Sequence, residues 1–176
     1  MKAVRILLTI ALTALVSTLA MAAQPPEDGK TAFADLKALG GLWEGPVTTT
    51  PPQAEVEGQL ATVSLRVTSR GHALMHDMKM EGIPDNPITM FYVDEGSLLL
   101  THYCDAGNRP RMQGRAAADG KTIEFELLDL TGGDHHGHMH RAQFTLVDAD
   151  HHVEEWTYML PNGQPVRARL DLRRVQ

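Results

Sequence analysis

The sequence predicts an all-β fold, a single antiparallel up-and-down barrel of about ten strands preceded by a short helix, and three observations predict it. In the last segment Val166, Ala168, Leu170 and Leu172 alternate with Arg167, Arg169, Asp171 and Arg173, the period-two pattern of a strand with one buried and one wet face. Compact turn chemistry recurs between apolar runs, at Ser69-Arg70-Gly71-His72, Asp94-Glu95-Gly96, Asp119-Gly120 and Asn162-Gly163, and such turns join consecutive strands as hairpins. After residue 40 the chain is too rich in turn signals for further long helices. Closing the sheet removes the exposed edges an open one would leave.

The N-terminus comes first. Lys2 and Arg5 precede an apolar run from Ile6 to Leu19, and Ala20-Met21-Ala22 stands before Ala23. This predicts a signal peptide over 1–22 and a protein that is periplasmic or secreted. The apolar run is shorter than the roughly 20 residues a spanning helix needs, and no later segment comes near that length. No membrane span is expected. Residues 23–30 are polar and contain proline, as a flexible leader would, and 31–176 form the barrel domain. Within it, Phe33, Leu36 and Leu39 at three-residue spacing predict a helix with Thr31 as N-cap and Gly40-Gly41 as its stop.

Strands are predicted over 42–50, 57–69, 72–81, 87–93, 97–104, 109–118, 122–130, 138–147, 152–160 and 165–174. In a meander, direction alternates, so the connections sort into two ends. The turns near 70, 95, 119 and 149 are short and share the end that takes the helix. The connections at 51–56, 82–87, 105–109, 132–137 and 161–164 are mostly longer and share the other. A barrel plugged at one end and looped at the other is a cup, which suits a small-molecule ligand.

Composition narrows the partners. Without Lys2 and Arg5 the chain has 14 basic and 22 acidic residues, a formal charge of −8, and no Lys/Arg-rich run. A nucleic-acid partner is not expected. The one cysteine, Cys104, has no partner for an internal disulfide, which leaves a buried inert thiol or a functional one.

The segment Gly132-Gly133-Asp134-His135-His136-Gly137-His138-Met139-His140 concentrates imidazole and thioether. Neutral imidazole is the commonest metal ligand, and His/Met mixtures favour copper or zinc. His135, His136, His138 and His140 are the candidate metal ligands; on a strand His138 and His140 share a face. A polar loop rich in histidine is the alternative, since no zinc-finger or His-Glu-x-x-His spacing occurs. His151 and His152 fall at the far end of a strand roughly 25–30 Å long and cannot join them.

His76, His102, Cys104, Arg111 and Trp156 are the candidate ligand-binding residues. His102 and Cys104 share a strand face, but at about 6–7 Å they are badly placed to act as base and nucleophile, and no catalytic residue is assigned. Met112, Gly114 and Ala116 suit the interior better than Arg111 and Arg115, which favours outward arginines; an inward Arg111 would need a carboxylate or a ligand anion. Glu154 with Glu155 reads as a solvated strand face. Trp43 reads as core at the plugged end.

At Gly41-Leu42-Trp43-Glu44-Gly45 the chain resembles the calycins, whose first strand opens on Gly-x-Trp. The stretches Thr101-His102-Tyr103-Cys104, Gly107-Asn108-Arg109-Pro110-Arg111-Met112 and Glu155-Trp156-Thr157 are similar to a family of uncharacterised exported bacterial proteins with a lipocalin-like barrel. The first strand also looks like nitrobindin, which implies a ten-stranded haem barrel with a C-terminal histidine ligand. No histidine lies in Val166 to Gln176, so the implied haem would have to use His102 or His76. The sequence thus favours an exported barrel holding an apolar or amphipathic molecule, with copper or zinc binding as the alternative, over an enzyme.

Overall fold

The computed structural model describes residues 27–175. The expected signal peptide over 1–22, its cleavage point and the start of the leader lie outside the described residues. Helix α1 (Glu27–Ala38) leads into β1 (Gly41–Thr50), β2 (Leu60–Thr68), β3 (Ala73–Met80), β4 (Ile88–Asp94) and β5 (Ser97–Tyr103). The second half is β6 (Arg109–Ala116), β7 (Thr122–Thr131), β8 (His138–Asp148), β9 (His151–Met159) and β10 (Pro165–Arg174). Each strand pairs with its neighbours in sequence, and β10 closes the barrel on β1. The closing register runs antiparallel from Trp43 opposite Arg174 to Thr50 opposite Arg167.

The helix begins four residues before the expected N-cap Thr31, so part of the supposed leader belongs to the fold. The reason is tertiary. Gly29 lies so close to the β4–β5 turn that a Cβ there would sit 2.1 Å from the Gly96 carbonyl oxygen. Only glycine permits that approach. The contact also puts α1 at the short-turn end. Strand β2 begins later than expected because Glu57 is drawn into the preceding loop, where its Oε2 accepts from the Thr49 amide at 2.7 Å and the Thr49 hydroxyl at 2.6 Å.

The helix delivers Phe33 and Leu36, and the turn after it Leu39, to a core containing Trp43, Leu74, Leu98, Leu100 and Leu172. Phe91, Phe125 and Phe144 meet edge to face at its centre, with centroids 5.4, 5.4 and 6.0 Å apart, the arrangement ring quadrupoles favour. Trp43 is fully buried and donates from Nε1 to the Leu39 carbonyl at 2.8 Å. The Arg174 guanidinium lies 4.1 Å from the Trp43 ring centroid and donates to the Gly40 carbonyl at 2.9 Å. Helix end, first strand and last strand are thereby tied together. Gly45 lets β10 close on β1, since a Cβ would lie 1.9 Å from the Asp171 carbonyl oxygen. Among the described residues no helix is long and apolar enough to cross a membrane.

Candidate functional site

At the long-loop end the barrel interior opens into a cavity of about 320 Å³, near the lower bound for small-molecule pockets. Its walls are mainly apolar: Val47 from β1, Met78 and Met80 from β3, Ile83 from the β3–β4 loop, Met139 from β8, and Val166 and Leu170 from β10. Strand alternation accounts for this lining, because even-numbered positions of β3 and β10 face inward. His76, His102 and Trp156 also line it, and their rings pack together. Trp156 stands 5.6 Å, centroid to centroid, from each imidazole.

Beneath this layer lies Glu154, fully buried. Its Oε2 is 2.9 Å from His76 Nε2 and 2.9 Å from Trp156 Nε1, and its Oε1 is 3.0 Å from His152 Nε2. Burial would raise the Glu154 pKa, but His76 and His152 outweigh it and hold the carboxyl well below the usual carboxylate range. An ionised carboxylate only accepts, so both imidazoles and the indole donate to it. Glu154 is therefore not part of a solvated face, as its pairing with Glu155 in sequence suggested. His152, Glu154, Trp156 and Tyr158 form the inner face of β9, and that alternation was the available signal. His152 in turn meets Trp43 edge-on at 4.3 Å, so the polar layer reaches from the cavity to the plugged end.

His102 is fixed differently. Its Nδ1 is 2.8 Å from the Thr89 hydroxyl, and its Nε2 is buried without a partner. Burial, assisted by His76, pushes its pKa down to about 3. The ring is neutral at physiological pH. At the mouth Asp85, Cys104 and Asp105 bring one ligand atom each to within 4.8 Å of one another. Burial, then the Asp85 and Asp105 carboxylates, push the Cys104 thiol up, the opposite of what an activated nucleophile requires. Burial and Asp105 likewise raise Asp85, and burial with these same three groups raises Tyr158.

Four of the five sequence candidates, His76, His102, Cys104 and Trp156, thus line one cavity. Arg111 does not. It lies on the outer face of β6, where Nε donates to Asp129 Oδ1 at 2.9 Å and a second guanidinium nitrogen reaches Asp129 Oδ2. The four loop histidines also separate. His135 and His136 are exposed, whereas His138 Nε2 lies 3.3 Å from His140 Nδ1 on the outer face of β8. Asn108, which is buried, donates to the Gly133 and Gly137 carbonyls at 3.0 and 2.7 Å and pins this loop. Of the two histidines left for haem by the nitrobindin resemblance, His76 spends Nε2 on Glu154 and His102 buries its own.

No protein-family model matches the sequence, and no curated protein is similar to it. Solved structures are similar in fold. Rv2717c from M. tuberculosis superposes with a TM-score of 0.61 at 15% identity, covering 82% of this chain and 98% of its own. A protein of unknown function from the DUF3598 family of Nostoc punctiforme superposes with a TM-score of 0.54 at 12% identity, covering 80% of this chain and 49% of its own. What this chain shares with them is the fold, a closed antiparallel barrel of ten strands behind a short helix.

Proposed function

We propose that the protein is an exported carrier or sensor that holds a small, predominantly apolar molecule in the cavity at the open end of the barrel. The carrying observation is the cavity itself, about 320 Å³ of space walled by Val47, Met78, Met80, Ile83, Met139 and Val166. Interiors this size are normally filled by side chains, and an apolar cavity is a favourable site for an apolar ligand because burying each CH₂ contributes about 0.8 kcal/mol. Three methionines in the wall supply a surface that adapts to the shape of what it holds. The neutral His102 adds no charge that would oppose an apolar occupant.

Trp156 lines the cavity whereas Trp43 is sealed in the core, so ligand uptake should change the fluorescence of one tryptophan only. The test is a titration with medium-chain fatty acids, alcohols and indoles, alongside native mass spectrometry of freshly purified protein. Saturable quenching should appear with at least one compound and vanish in Trp156→Phe. Filling the cavity with Ala168→Trp should abolish uptake while leaving the fold intact. A protein that carries nothing, takes up nothing from the panel, or binds equally well after Ala168→Trp does not use this cavity.

A further inference from the structure

The outer face of the barrel carries a second constellation, independent of the cavity. In β8 the pairing with β9 shifts register between Met139 and Arg141. At such a bulge two residues of one strand oppose one of the other. His140 is the extra residue, and it shares the outer side with Arg141 because Met139 and Ala142 both face inward. His138 precedes the bulge on that same outer side, and its ladder partner is Met159 of β9. Met159 and His140 line one shallow groove. Two imidazoles and a thioether therefore stand together on adjoining strands.

The spacing of the two rings discriminates between uses. His138 Nε2 and His140 Nδ1 are 3.3 Å apart, with the rings inclined at 65°. That is longer than the ~2.7–3.2 Å of a good nitrogen-donated hydrogen bond. Two nitrogens each ~2.0–2.1 Å from one tetrahedral metal ion, however, lie about 3.3–3.4 Å apart. The other nitrogen of His138, Nδ1, is buried with no partner, so the ring is not held from that side.

We propose that His138, His140 and Met159 form a binding site for monovalent copper on the outer face of β8 and β9. The choice of ion follows from the donors. Thioether is a soft ligand that selects Cu(I), whereas zinc sites are built from thiolate, imidazole and carboxylate. Met159 stands opposite His138, where Cβ atoms of facing residues are roughly 4.5–5.5 Å apart, and its three rotatable bonds let the sulfur close on an ion held by the two imidazoles. His135 and His136, though adjacent in sequence, are exposed turn residues and take no part.

The experiment uses the full chain without an affinity tag, loaded anaerobically with Cu(I) in competition with bathocuproine disulfonate, with Zn(II) measured in parallel. One Cu(I) per chain is expected. His138→Ala and His140→Ala should each weaken Cu(I) at least tenfold, and His135→Ala/His136→Ala should leave it within twofold. Met159→Leu should weaken Cu(I) at least tenfold and leave Zn(II) within twofold, and X-ray absorption should find a sulfur neighbour that this variant loses. These outer-face changes spare the core, and circular dichroism checks that each variant is folded. Absence of Cu(I) binding, its loss in the His135/His136 variant, or its indifference to Met159→Leu would overturn the assignment.

Discussion

The two ends of the barrel are built from the same strands and do opposite things. At the short-turn end α1 and the turn after it insert Phe33, Leu36 and Leu39, Trp43 is fully enclosed, and Arg174 ties the closure. At the other end the loops stand open around a cavity whose walls are apolar and whose mouth carries Asp85, Cys104 and Asp105. The difference teaches that this fold concentrates its stability at one end and leaves the other incompletely packed, which is what a binding cup requires. Glu154 sits at the seam, bonded to His152 against the plugged end and to His76 against the cavity.

The largest expected effect is at that seam. Glu154→Leu removes the acceptor for His76, His152 and Trp156, leaving three buried donors without partners. Breaking a buried charged network by removing one member costs about 3–5 kcal/mol. Denaturant titration should show this loss, whereas Glu155→Leu, one residue away on the exposed outer face, should change stability by less than about 0.5 kcal/mol. Similar losses in the two variants would mean that the inner network is not what joins the ends.

Truncation tests the ends directly. Leu36 is fully buried in the plug, so Leu36→Ala should cost about 3 kcal/mol through lost burial and a new void. Met78 lines the cavity and is only partly buried against the core, so Met78→Ala enlarges a cavity instead of creating one and should cost about 1 kcal/mol, below the range for fully buried sites. Equal costs, read from the denaturation midpoints at constant slope, would remove the asymmetry.

Much of this was legible in the sequence because it is local or periodic. Turn chemistry and period-two alternation placed all ten strands within a few residues, and counting hairpins placed the helix and the open end. What escaped depends on contacts between distant segments. Gly29 reads as a loop residue until its approach to Gly96 is seen. Glu154 beside Glu155 reads as a wet pair, although alternation with His152 and Trp156 was there to be used, because a carboxylate is seldom assigned to an interior before its donors are known. Arg111 reads as outward from its neighbours Met112 and Gly114, but its partner Asp129, across β6 and β7, lies 18 residues away and could not be read from the sequence. Two-residue spacing already set His138 and His140 on one strand face, apart from the loop residues His135 and His136, but it could not show the bulge at His140 that brings Arg141 to the same outer side.

The smallest expected effect separates the cavity floor from the plug by its response to acid. His102 has its pKa lowered to about 3 in the folded protein by burial and by His76, against ~6.5 when unfolded. Below pH 6.5 the unfolded chain therefore binds a proton that the folded one refuses, and stability falls as pH falls. Glu154 pulls the same way only at lower pH, because a depressed carboxyl keeps its full contribution above its unfolded value and loses it as pH drops toward the folded one. Between pH 7 and 5 the His102 contribution should amount to about 2 kcal/mol. His102→Leu forfeits the Thr89 hydrogen bond, about 1 kcal/mol at neutral pH, yet should lose less between pH 7 and 5 than the parent does. Thermal unfolding across that interval decides the matter: parallel curves would place the acid sensitivity elsewhere, and converging curves would locate it at the floor of the cup, where a bound apolar molecule would exclude water still further and deepen the dependence.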